Sequence, residues 1–183
     1  MQGNIISLIL FIIQLSFVFN NMSITAISRE GKNAILMKCI PINYYTQFKM
    51  KVVLGIIINM FSTAIVIAIF YGITKISLLY LFVVIVLATL LNISENYLML
   101  ILDLKRPNLD WSAESEAIKQ SKNSFLKMLI EILLAVYFLR NFTTRVVAAN
   151  LTIRSYFIIL IFATIVLDLY AYNKQDELFE KIN

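Results

Sequence analysis

The stretch that decides the fold is V-V-L-G-I-I-I-N-M-F-S-T-A-I-V-I-A-I-F-Y-G-I, from Val52 to Ile73, which contains no charged residue. A helix needs about 20 mostly apolar residues to cross the hydrocarbon of a bilayer. Alternation of period two, the mark of a barrel strand, is absent, so a helix is the structure that satisfies its backbone in lipid. Four more stretches extend the pattern. They run from Asn4 to Met22 with Gln14 inside, from Ile76 to Leu102 with Asn92, Glu95 and Asn96, from Ser124 to Leu139 with Glu131, and from Tyr156 to Tyr172 with Asp168 near its end. The chain reads as one all-α domain, 1–183: a polytopic transmembrane helix bundle of about five spans, with loops 23–51 and 103–123 and a tail 173–183.

Composition agrees. Of 183 residues, 60% are apolar and 15% charged, with a mean hydropathy of +0.82. A soluble domain is nearer roughly 45–50% apolar and about 25% charged. Disorder is excluded by the same numbers. The chain has no histidine and one cysteine, Cys39, so histidine-based catalysis, histidine-ligated metals and an internal disulfide are all removed. Nothing in it reads as a nucleic-acid surface. Met1-Gln2-Gly3-Asn4 is neutral, so the first stretch lacks the cationic start of a signal peptide.

Lys and Arg in short loops set orientation. Twelve of the sixteen lie in or beside the two long loops and the tail, among them Arg29, Lys32, Lys38, Lys105, Arg106 and Lys174; Lys75, Arg140, Arg145 and Arg154 lie opposite. The long loops and the C-terminus are therefore predicted to be cytoplasmic. Five spans then put the N-terminus outside, and either a preceding helix is missing or the first span inserts as a short N-out helix.

In the first loop, Ile24, Ile27, Gly31, Ala34, Ile35 and Lys38 recur at helical spacing, with Arg29, Glu30, Lys32 and Asn33 mainly opposite. This predicts a short amphipathic helix at the interface, stopped by Pro41. It either rests on anionic lipid or docks a soluble partner. Asn43 is a candidate N-cap for the second span. In the second loop, Pro107 ends the preceding helix and Asp110 can cap a short one with Glu114 in its first turn and Lys119 toward its end, signs that suit the helix dipole. Trp111 is expected at headgroup level.

Glu95 and Glu131 lie inside apolar spans, where a charge costs about 2.5 kcal/mol or more. Each is eight residues, roughly 12 Å of helix, from its cytoplasmic end. Lys127 precedes Glu131 by four residues on one face. Two readings stand: a local Lys127–Glu131 pair with Glu95 buried among Asn92 and Asn96, or a polar stripe through Asn92, Glu95, Asn96 and Glu131 lining a substrate or proton path.

Two runs carry a family resemblance. S-R-E-G-K at Ser28 to Lys32, followed by L-M-K-C-I-P-I at Leu36 to Ile42, resembles the cytoplasmic segment of bacterial ABC-type exporter permeases, the clostridial group most closely. R-P-N-L-D-W at Arg106 to Trp111, with Glu114, Glu116 and Lys119-Gln120-Ser121, is similar to the same family's P-x-L-D-W segment. The aromatic residue usual soon after E-G-K is replaced here by Asn33 and Ala34. The resemblance implies spans two to six of a six-span repeat, hence the C-terminal part of a longer permease or a reduced relative. It implies a bacterial cytoplasmic membrane, a second permease half or a homo-oligomer, and a separate ABC ATPase subunit that binds ATP and Mg²⁺. Arg29, Glu30, Lys32 and Lys38 become candidate ATPase contacts, with Asp110, Trp111, Glu114 and Lys119 in the second loop.

The chain has no G-x-x-x-x-G-K-[ST], which agrees with a permease that binds no nucleotide itself. A small multipass scaffold or immunity-type protein without an ATPase is the competing reading. An aspartyl intramembrane enzyme would need paired intramembrane aspartates, and Asp103 and Asp168 both lie at span ends.

Overall fold

The computed structural model describes residues 2–112, 115–116, 122–143 and 149–182. Among these, all regular structure is helical: α1 (Gln2–Phe17), a 3-10 segment (Ser28–Cys39), α2 (Tyr44–Thr74), α3 (Leu78–Lys105), α4 (Lys122–Thr143), α5 (Ala149–Asn173) and α6 (Gln175–Glu180).

Three helices are long and apolar enough to cross a membrane: α2, α3 and the Ile153–Asn173 part of α5. Much of their apolar surface faces outward, as at Phe61, Ile65, Phe82, Ile158 and Phe162. Two of the remaining helices, α1 and α4, differ in kind. α1 has 16 residues, roughly 24 Å, short of the roughly 30 Å of hydrocarbon. It is enclosed instead: Ile6, Ile9, Leu10, Ile13 and Phe17 are buried, and α1 packs chiefly on α4. α4 has 22 residues but carries Lys127, Glu131 and Arg140.

The helix ends follow local chemistry. The Asn43 side chain accepts from the Tyr45 N–H at 2.7 Å, the predicted cap, yet α2 starts at Tyr44 rather than Val52. Its first turns are polar, so hydropathy alone places the start too late. α3 stops at Lys105, before Pro107.

The predicted amphipathic helix takes a tighter form. Ser28, Gly31, Ala34 and Met37 are buried, a spacing of three that matches the 3-10 repeat. Ile35, expected on the buried side, is 50% exposed. Gly31, at φ 54° and ψ −137°, interrupts the segment in a conformation that favours glycine.

Two apolar cores result. One joins α1, the first half of α3, and Phe138, Tyr156 and Leu160. The other gathers Ile27, Ala34, Phe48, Leu100, Leu104, Phe179 and Ile182. Along α3 the change from one to the other falls at Asn92–Asn96.

Candidate functional site

The two runs that carry the family resemblance meet face to face. The buried Asp103, at the end of α3, accepts from Ile27 N at 2.7 Å, Ser28 N at 3.0 Å and Ser28 Oγ at 2.5 Å. Asn123 Nδ2, at the start of α4, donates to the same carboxylate at 3.3 Å and to the Arg106 carbonyl at 2.8 Å. Asn108 N donates to Ser28 Oγ at 3.0 Å, and Trp111 Nε1 to the Ser28 carbonyl at 2.7 Å. The Trp111 ring lies over Gly31, where a Cβ would come within 2.9 Å of Cζ2. Trp111 is thus a packing partner of the first loop.

The tail joins the same end. Phe179 is buried and stacks on Tyr44, with centroids 4.6 Å apart. Tyr45 Oη donates to Asp168 at 2.5 Å, and Tyr45 N to Gln175 Oε1 at 3.0 Å. The segments predicted to share one side of the membrane, first loop, second loop and tail, therefore sit together at one end of the bundle.

The candidate docking residues divide. Arg29 turns inward, donating to the carbonyls of Thr25 and Met22 at 3.3 and 3.2 Å. Glu30 pairs with Lys51 at 2.8 Å, and Lys38 reaches the Glu180 carbonyl at 3.5 Å. Lys32, Asn33, Ile35 and Leu36 are exposed. Beside them, Leu36, Ile40, Ile42 and Met50 line an open apolar groove. Asp110 is exposed; Glu114 and Lys119 lie outside the described residues. Ser112 N and Oγ both donate to the Glu116 carboxylate, at 2.9 and 3.0 Å.

Within the bundle a polar layer separates the two cores. Ser23 Oγ donates to Asn96 Oδ1 at 2.6 Å, and the Asn96 amide donates to Asn92 O and Oδ1 at 2.8 and 2.7 Å. Asn92 Nδ2 donates to the Ile56 carbonyl at 3.0 Å, and Asn20 Nδ2 to Asn59 Oδ1 at 2.6 Å and Gly55 O at 3.1 Å. Polar bonds between membrane helices average roughly 0.6 kcal/mol each, so the group matters as a set. Gly55 makes it possible: a Cβ there would overlap both Asn96 Oδ1 and Ser23 Oγ.

Glu131 pairs with Lys127, whose Nζ lies 3.2 Å from its carboxylate, and Gln14 Nε2 also donates to it. Lys127 further donates to the carbonyls of Phe17 and Val18, at 2.7 and 3.1 Å, finishing the C-terminus of α1. Glu95 is 4% exposed and both its carboxylate oxygens are buried without a hydrogen bond. The cavity that Glu95, Lys127 and Glu131 share leaves room of about 10 Å³, one water at most. A solute could not pass through it in this state.

Sequence reasoning missed Asp103, Asn123 and Gln14 as organising groups. Gln14 stood out only as a polar residue in an apolar run. Asp103 looked like a span boundary. No family model, curated protein or solved structure matches the chain.

Proposed function

We propose that this chain is a membrane-spanning permease subunit, or the C-terminal part of one, of an ATP-driven exporter in a bacterial cytoplasmic membrane. The observation that supports this best is the Trp111–Ser28 junction. The two runs that resemble the exporter family form one interlocked unit at one end of the bundle, joined by a bond between residues 83 apart. In this reading that end is cytoplasmic. α1 and α4 then cross alongside α2, α3 and α5, burying polar groups against each other.

The 28–40 segment would receive a separate ATPase subunit through Lys32, Leu36 and the apolar groove beside them. Glu30 and Lys38 border that face, while Arg29 holds the segment's shape. Transport would use a second permease half or a second copy, since the polar layer is closed within one chain. ATP and Mg²⁺ would belong to the partner.

A photo-crosslinking residue at Leu36, in native membranes, tests the reading. Capture of a protein with a phosphate-binding G-x-x-x-x-G-K-[ST] loop is expected. Labelling of the exposed Cys39 by an impermeant thiol reagent in sealed vesicles checks the side. Reaction only from the exterior would overturn the orientation and the docking role together, leaving the multipass scaffold without an ATPase.

A further inference from the structure

We propose that the junction of α1, α3 and α4 is a proton-binding site in which Glu95 holds one exchangeable proton beside the Lys127–Glu131 pair. The inference stands apart from the transport reading.

Charge and hydrogen-bond accounting lead to it. The titratable groups sharing the cavity are Glu95 from α3 and Glu131 and Lys127 from α4; the remaining lining is uncharged, including Asn20, Ser23 and Asn59. Two carboxylates face one ammonium. An ammonium has three hydrogens, and those of Lys127 have three partners already: Phe17 O, Val18 O and Glu131. Glu131 is satisfied by Lys127 and by the Gln14 amide. The Asn96 amide, on the residue after Glu95, spends its hydrogens on Asn92.

Two buried acceptors are then left over with no donor: the Glu95 carboxyl and Gln14 Oε1. A buried ionised carboxylate without a partner is costly. One proton on Glu95 removes the surplus charge and leaves a neutral carboxyl in the buried position. A water could offer hydrogen bonds but no charge. Among the described residues no group of acidic and thiol side chains gathers to hold a metal ion. Released, the proton leaves a second negative charge facing Glu131, and the three helices are pushed apart.

The test uses the full chain, purified in lipid nanodiscs. Infrared spectra at neutral pH should show the C=O stretch of a protonated carboxyl group. Glu95→Gln should abolish the band and keep the fold, because its amide has nearly the size of the carboxyl and is neutral like the protonated form. Wild-type melting temperature should fall as pH rises, and the Glu95→Gln protein should lack that component. A wild type without the band, a band that persists in Glu95→Gln, identical pH profiles for the two proteins, or loss of the band on adding sodium would each overturn the proposal.

Discussion

Asp103 holds Ser28 at two points, Ser28 N and Ser28 Oγ, and the same carboxylate takes the adjacent Ile27 N. The end of α3 thereby becomes the anchor of a loop 75 residues away. Asp103→Ala would orphan two buried backbone N–H groups, each worth about 1–3 kcal/mol. We expect a loss of about 3 kcal/mol or more in detergent unfolding, and protease cleavage within 28–39 before the bundle itself melts.

Gly31→Ala meets two obstacles, a positive φ and the Trp111 ring at 2.9 Å. The expected cost is about 1–3 kcal/mol. Trp111 is the only tryptophan, so its fluorescence reports the change directly. A red shift of its emission marks displacement of the ring from the loop, and unchanged emission would show that the contact is loose.

Gly55 and Gly72 give a matched pair on one helix. Gly55→Ala would force apart the Ser23–Asn96 bond and costs about 1–3 kcal/mol by overpacking. At Gly72 nothing lies within 4 Å of an added Cβ. Gly72→Ala should leave the melting temperature unchanged or slightly raised. Equal behaviour of the two variants would contradict the close approach of α2 to α3.

Phe179→Ala removes the stacking partner of Tyr44 from a side chain 1% exposed. A cost of about 3 kcal/mol is expected. Mild proteolysis should then release the last ten residues or so while the bundle stays intact, read by mass spectrometry.

The exposed pair Lys174–Glu177 responds to acid. Its 2.6 Å contact with Lys174 holds the Glu177 carboxyl below its ordinary range and raises the Lys174 ammonium. A carboxylate with a lowered native value stabilises above its unfolded value, and the effect disappears as pH falls through the native one. The carboxyl chemical shift of Glu177 should therefore titrate at lower pH than in Lys174→Ala, with little change in overall stability because the pair is solvated.

What was legible in the sequence was what apolar length and turn chemistry encode. Val52–Ile73 announces a long helix, and Asn43 and Pro107 mark real ends. The start of α2 was misplaced because Gln47, Lys49 and Lys51 make its first turns polar. The 3-10 packing of Ser28–Cys39 was hidden because periods of 3.0 and 3.6 share Gly31 and Ala34 before they diverge at Ile35 and Met37. The roles of Asp103, Gln14 and Asn123 were not readable at all. Each depends on a partner 20 to 117 residues away, and local pattern holds no record of such a meeting.

Lys127 closes the last carbonyls of α1 from 110 residues downstream. During synthesis α1 is therefore made well before the residue that completes it. Through that interval the carbonyl oxygens of Phe17 and Val18 lack that partner. A product stalled before α4 keeps the gap.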